Sequence, residues 1–330
     1  MAIGSGLNAS VGYKLHTTDS YGTYTAPATF IRARSAKLEK TATRVQGEGI
    51  AAGAHMPLTT HYVETVTGAS GSITFDVQNK GMGSMLLPLF GSSSSAQQGG
   101  TPAYLHTLTV SDPVGKFLTV QAGLPYRGGT ILPHTVTGAK VTKVDFACTV
   151  DGLLTATLEI DGKAFTTTQT LAAPSYVATN VFHGGQLNAK AGAWGSEAAV
   201  SGVRGFSLSF ARGLDTADYT AGQTGTKSEP VLNAFTEVTG SVTADWLAVA
   251  TFQSLAHGTT ATPLVFEMVG PIISTTYAET FRFKIPGVLF EPNTQDWDGP
   301  GELTNEWSFK AAYDATNVPT VEIISTETAL

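Results

Sequence analysis

The sequence predicts a mainly β protein built as two tandem β-sandwich or barrel-like units, each with one short flanking α-helix. Three observations carry this. The 330 residues include 36 glycines and only 14% charged residues; with abundant Thr, Ser and Val, that is the composition of pleated strands joined by many turns. In GSITFDV (71–77), Ile73, Phe75 and Val77 fall on one side and Thr74, Asp76 and Gln78 on the other, the alternation of a half-buried strand. The phrase containing it, VTGASGSITFD (66–76), returns as VTGSVTAD (238–245), where Val242, Ala244 and Trp246 alternate with Ser241, Thr243 and Asp245. A repeat on this scale organises the whole chain.

The elements follow in the same order in both halves. After the first strand comes NKGMGSMLLPLFG, in which Met82, Met85, Leu86 and Leu89 have the i, i+3, i+4, i+7 spacing of a short amphipathic helix, stopped by Gly91. After the second comes LAVATFQSLAHG, with Ala248, Thr251, Phe252 and Leu255 at that spacing and Gly258 as the stop. A small-polar loop ending at Pro102 follows the first helix, and a shorter one ending at Pro263 follows the second. Farther on, VTKVDFACTV (141–150) pairs with LTNEWSFKAAY (303–313) as strand-like counterparts, and TLEI (157–160) with TVEI (320–323). Upstream, KLEKTATRVQG (37–47) is echoed by GLDTADYTAG (213–222). These correspondences divide the chain into an extended N-terminal arm (1–24), a first unit (25–172), a linker (173–177) and a second unit (178–330), each unit of ordinary domain size.

Charge and motifs exclude several function classes. Nineteen basic against 26 acidic residues leave a net charge of −7, without the cationic footprint that gripping a phosphate backbone requires. The single Cys148 alternates in phase with Val144, Phe146 and Val150, as a small core residue does. The opening residues contain no continuous apolar stretch and no later run reaches membrane-spanning length, so a soluble, unsecreted protein with no membrane partner is expected. Seven scattered histidines form no compact ligand pattern. GEGIAA (47–52) matches a dinucleotide fingerprint only formally, since no helix starts at its last glycine. Asp296, Asp298 and Glu302 cluster in DWDGPGE, but their spacing departs from the calcium loop and Pro300 interrupts it. No nucleophile elbow occurs. The expectation is a non-enzyme without metal or cofactor.

This order of elements resembles the tail tube proteins of long-tailed, non-contractile bacteriophages. The resemblance rests on RVQGEG, on VTGASGSITFDV with its helix GMGSMLLPLFG, on TVTGAKVTKVDFACTVDGLLTATLEI and on GFSLSFARGLDTADYTAG, and it spans about 25 to 326. It implies a structural virion protein of the phage tail, assembled in the host cytoplasm, whose domains close into rings that stack as the conduit for DNA. Six domains per ring would come from three duplicated chains, a pseudo-six-fold homotrimer; a homohexamer is the alternative. The resemblance also implies tail partners such as the tape measure, tail terminator and distal tail proteins.

By that resemblance the long loop after the first strand reaches the adjacent ring. Its positions here are 47–60, with Gly47, Glu48, Gly49, Ile50, His55 and Met56, and 222–233, with Gly222, Thr224, Lys227 and Glu229. Asp76 and Asp245 take equivalent places on the non-core faces of their strands and are candidate lumen-lining residues, past which DNA slides without tight binding. A different class of function, a carbohydrate-binding or adhesin-like pair of sandwiches, would use exposed aromatic platforms such as Trp194 and Trp297. A glycoside-processing enzyme would need two converging carboxylates that the sequence does not locate.

Overall fold

The computed structural model describes residues 4–222, 224–245, 249–293, 300 and 303–330. The first half contributes β1 (Ser10–His16), β2 (Thr29–Ile31), β3 (Ala33–Gln46), β4 (Tyr62–Asp76), α1 (Gly83–Phe90), β5 (Gly91–Gln97), β6 (Tyr104–Val110), β7 (Phe117–Pro125), β8 (Ile131–Thr149), β9 (Thr155–Gly162) and β10 (Ala164–Thr166). The second contributes β11 (Leu187–Ala191), β12 (Ala198–Ala199), β13 (Val203–Ala211), β14 (Glu237–Asp245), α2 (Val249–His257), β15 (Thr262–Ser274), β16 (Tyr277–Phe290), β17 (Thr304–Ala311) and β18 (Thr320–Ser325). The mainly β class with few short helices is as expected.

Every pairing between these strands is antiparallel. One long row runs β3–β4–β9–β8–β13–β14–β17–β16. Two further rows lie against it, β2–β1–β7–β8–β10 and β12–β11–β15–β16–β18–β6–β5. Strands β8 and β16 are long enough to belong to two rows each, so they are the corners where the chain passes from one sheet to the other.

Alternation places the core between the rows. Ile73, Phe75 and Val77 are buried, while Thr74 and Asp76 are half-buried on the other face. Phe146 of β8 packs against Phe283 with ring centroids 4.7 Å apart, and Phe210 of β13 and Phe281 of β16 join the cluster. The two halves therefore share apolar contacts as well as a sheet, with aromatic edges meeting faces as ring quadrupoles prefer. Cys148 is buried in phase with Phe146. Val150 breaks the phase and is exposed, because the chain has entered the turn between β8 and β9.

Helix α1 forms where the stripe predicts it, but it is covered on nearly every side. Leu87, Pro88 and Phe90 are buried along with Met85, Leu86 and Leu89. Tyr13 Oη reaches across to Ser84 Oγ at 2.7 Å and to the Gly81 carbonyl at 3.1 Å. The helix ends at Gly91, whose φ of +87° is left-handed. In α2, Phe252 is buried and the Gly258 amide donates to the Leu255 carbonyl; Trp246, Leu247 and Ala248 lie outside the described residues.

Four expectations about local correspondence change. The serine run 92–97 is strand β5, not loop: its main chain pairs with β6 from Gly91↔Val110 to Gln97↔Tyr104. A run of exposed small side chains carries no alternation to reveal this. VTKVDFACTV lies in β8, which pairs β9 and β13, whereas LTNEWSFKAAY lies in β17, which pairs β14 and β16; the two occupy different places. By the same pairing, TLEI of β9 corresponds to EWSF (306–309) of β17 rather than to TVEI of β18. The partner in the second half of strand β3 is 203–211, since 213–222 contains only isolated bridges.

Residues on either side of the 173–177 connection form part of the packing. The Ala172 amide donates to Gln121 Oε1, and the Asn180 and Asn79 side-chain amides both donate to Glu279, joining the connection, the segment between β4 and α1, and β16.

Two stability outcomes follow. At Gly91 a Cβ would meet the Ser111 carbonyl oxygen at 2.4 Å in a left-handed backbone, so Gly91→Ala lowers stability by about 1–3 kcal/mol, measured as a lower urea midpoint. Burial pushes the Glu267 carboxyl up, but hydrogen bonds from Lys190 and Arg282 outweigh it, so the group lies below its ordinary 4.5. Its stabilisation is present above that value and lost as pH falls through the lower folded-state value. Glu267→Gln is therefore expected to reduce the melting temperature at neutral pH, with the difference from the unaltered protein shrinking below about pH 4.

Candidate functional site

The exposed face of the long row is the first candidate surface. Alternate residues turn away from the core there, giving a field of hydroxyls: Thr74 and Thr157 Oγ1 atoms lie 3.1 Å apart, and Ser207 and Ser241 Oγ atoms 2.8 Å apart. Carboxylates stand among them. Asp76, Asp145, Glu159, Asp161, Asp245 and Glu306 alternate onto this face, with Arg34, Lys37, Lys143, Arg204 and Lys310 beside them and Lys227 against Asp161. A broad shallow groove along β8, β13, β14 and β17 is lined by Asp145, Ser207, Ser241, Glu306 and Ser308. Its chemistry is that of a wetted, mildly acidic wall rather than of a closed binding pocket.

Asp76 and Asp245 end strands whose pairing surroundings match. Leu38 faces Gly71 and Ile160 as Leu208 faces Gly240 and Phe309. The glycines leave room for these side chains: a Cβ on Gly71 would meet Leu38 Cδ2 at 2.6 Å, and one on Gly240 would meet Phe309 Cζ at 2.6 Å. A register shift follows in both halves, between Ala33 and Ser35 and between Val203 and Gly205. The extra residue is arginine each time. Arg34 pairs with Asp76 at 2.7 Å, and Arg204 pairs with Asp245. Sequence reasoning found the aspartates and missed the arginines; RARSAKL and VRGFSLS each carry one four residues before the leucine that faces the glycine.

The second candidate surface is the arm formed by the ends of β3 and β4 and the residues between. Glu48, Gly49, Ile50, His55 and Met56 are exposed and Gly47 is half-buried. Ile50 is 99% and Met56 82% exposed, and Leu58, Tyr62 and Val63 are also open to solvent. The arm's charges meet one another, Glu64 pairing with Lys40 and Arg44. These pairs hold the Glu64 carboxyl below the usual range.

The residues singled out in the other long connection are placed differently. Gly222 and Thr224 are exposed, both with left-handed backbone. Lys227 is buried against Asp161, and Glu229 pairs with the fully buried Lys140 at 2.5 Å while accepting from the Gly115 amide at 2.7 Å. Burial pushes the Lys140 ammonium down and the Asp161 carboxyl up.

Trp194 lies against Lys284, its ring centroid 4.7 Å from Nζ, and Trp297, Asp296, Asp298 and Glu302 lie outside the described residues. Among the described residues no group of three His, Cys, Asp or Glu side chains is placed to hold a metal. No helix there is long and apolar enough to cross a membrane.

No curated protein matches the chain. A family model described as phage tail tube protein matches residues 6–311, nearly the whole length. That match, spanning both halves of a mainly β chain whose surfaces are a polar wall and an exposed arm, assigns it: the chain belongs to the phage tail tube protein family and is a structural, non-enzymatic component of the virion tail.

Proposed function

We propose that the chain is a duplicated ring-building unit, that three copies close a ring of six equivalent halves, and that the rings stack into the tube through which DNA passes. The observation that carries this is the strand order. The row β3–β4–β9–β8 is followed by β13–β14–β17–β16, with the same register among the first three strands of each set and the same Arg–Asp bulge in each half. The departures are confined to insertions, chiefly the β5–β6 hairpin.

Within the chain, β8 residues 143–149 pair with β13 residues 205–211. The equivalent of β13 at the start of the row is β3, which has β4 on one side and no second partner strand among the described residues. The equivalent of β8 at the end of the row is β16. Repeating the internal junction between chains, β16 to β3 of the next, closes the row when the rotation sums to a full turn. It also removes two exposed edges that would otherwise recruit strands at random. Lys143 faces Glu159 as Glu291 faces Ser308, and Ala211 faces Glu237 as Thr41 faces Gly68. Since Lys143 lies opposite Ala211, Glu291 of one chain would lie opposite Thr41 of the next.

In this arrangement the hydroxyl-rich acidic face, with Asp76 and Asp245, lines the bore. Few uncompensated cations there means little counterion release on contact with DNA, hence passage without gripping. The arm 47–60 projects from the ring toward its neighbour in the stack. Tape measure, terminator and distal tail proteins are the partners this role calls for.

Two experiments test the reading. The Thr41→Cys, Glu291→Cys protein, whose native Cys148 is buried, is expected on mild oxidation to give covalent species of up to three chains. A six-chain species would replace the trimer with the hexamer, and absence of interchain disulfides would remove the junction. Changing Asp76 and Asp245 together to Lys is expected to leave tubes intact, slow DNA ejection and make it salt-dependent; unchanged ejection kinetics across salt would take the aspartates off the bore.

A further inference from the structure

In the first three strands of each set, the charged side chains of the wall change identity from one half to the other, with one exception. Lys37 and Glu39 of β3 correspond to Ser207 and Ser209 of β13, and Glu159 of β9 corresponds to Ser308 of β17. Arg34 with Asp76 and Arg204 with Asp245 are kept. The bulge that carries each arginine sits at the same step of the ladder, between Ser35↔Thr74 and Ala33↔Phe75 and between Gly205↔Thr243 and Val203↔Ala244. A bulge frees one residue from the alternation and re-aims its side chain. Here that residue lies beside the aspartate at the end of the neighbouring strand.

Stability does not account for the pairs. Ion pairs this open to water contribute little to folding, and a bulge does not require arginine. Exposure gives the pairs a direction: the side chains of Arg34 and Arg204 are 50% and 42% exposed, against 23% and 29% for Asp76 and Asp245. The guanidinium is therefore the outer group of each pair and the carboxylate the inner one. A guanidinium is always charged and its planar fork matches phosphate oxygens, yet a carboxylate 2.7 Å from Arg34 Nη2 cancels most of the field that would draw a polyanion.

We propose that Arg34 and Arg204 are the phosphate contacts of the wall and that Asp76 and Asp245, standing behind them, hold those contacts at low affinity. The ligand is the backbone of duplex DNA, met without regard to sequence. The inference rests on the ring reading and deepens it: three chains set six equivalent masked guanidiniums at one height of the bore. A masked cation replaces few of the counterions condensed on the duplex, so the DNA slides; an unmasked one replaces about one each.

The test follows DNA ejection from purified virions by dye fluorescence at about 50 mM and about 200 mM salt, a range over which phosphate contacts weaken strongly. Asp76→Asn with Asp245→Asn removes the mask without adding a cation, and is expected to slow ejection at least about tenfold at the lower salt and to recover at the higher. Adding Arg34→Gln and Arg204→Gln to that variant is expected to restore the unaltered rate at both. Either aspartate changed alone unmasks half of the guanidiniums and is expected to give an intermediate slowing, which keeps the test in place if the double variant does not assemble. Ejection at the unaltered rate in the asparagine variants would overturn the inference, as would slowing that survives loss of the arginines, or loss of tubes in both single variants. Asp76→Lys with Asp245→Lys separates this from the ring reading. Slowed ejection there, with normal ejection in Asp76→Asn with Asp245→Asn, removes the masked contacts alone; normal ejection in both takes the wall off the bore.

Discussion

The main-chain pairing of β8 with β13 is the constraint on which the rest of the molecule depends. Seven consecutive residues on each side, 143–149 and 205–211, join the halves into one sheet. A polar backbone edge inside a protein must find partners, and here each half supplies what the other lacks. The pairing fixes everything perpendicular to it. Below the sheet it brings Phe146 and Phe210 over Phe281 and Phe283; above it, Asp145 and Ser209 enter the same polar field as Asp76 and Asp245. One set of hydrogen bonds thereby aligns an apolar layer and a wet layer across the whole chain.

The same pairing also explains which contacts can be specific. Strand edges alone discriminate poorly, because any extended segment can satisfy them. Within the chain other crossings reinforce the junction. The hairpin β5–β6 leaves the first half and adds to β18 of the second, and the segment carrying Lys227 and Glu229 returns from the second half to the first. Both crossings bury charge or backbone that no other surface would satisfy. A chain closed on itself in this way presents the two ends of its long row, β3 and β16, in a fixed relative orientation.

Much of this architecture was legible in the sequence and some was not, for physical reasons. Alternation exposed β4 and β14 because one face of each is core and the other is not. The helix stop at Gly91 was legible because few residues other than glycine tolerate that φ. The strand β5 was hidden, since serine after serine has no periodicity and the strand exists only through its main-chain bonds to β6. Matching TLEI to TVEI failed because four common letters are weaker than a pairing register; the register equates TLEI with EWSF, which shares none of its letters in place. The docking of Lys227 and Glu229 was invisible because Asp161 and Lys140 are distant in sequence and nothing local marks a surface charge that will be buried. The arm and the docked segment look alike in composition, and only their partners distinguish them.

On the proposed reading, duplication changes what the halves can become. In a ring of identical domains every junction is the same, so a residue that improves one junction is imposed on all. Two fused halves can diverge. The place of the buried Lys140 in β8 is taken in β16 by Leu289, which is 41% exposed, and the place of Asp161 is taken by Lys310, which pairs with Glu237 at the surface. A lysine clamped by carboxylate suits a junction that forms once, during folding, and stays closed. An exposed leucine flanked by a surface ion pair suits one that must remain soluble as a free chain and close later by covering modest apolar area, without first stripping water from a charge. The asymmetry therefore orders the steps: halves join first within the chain, and chains join afterwards into the ring.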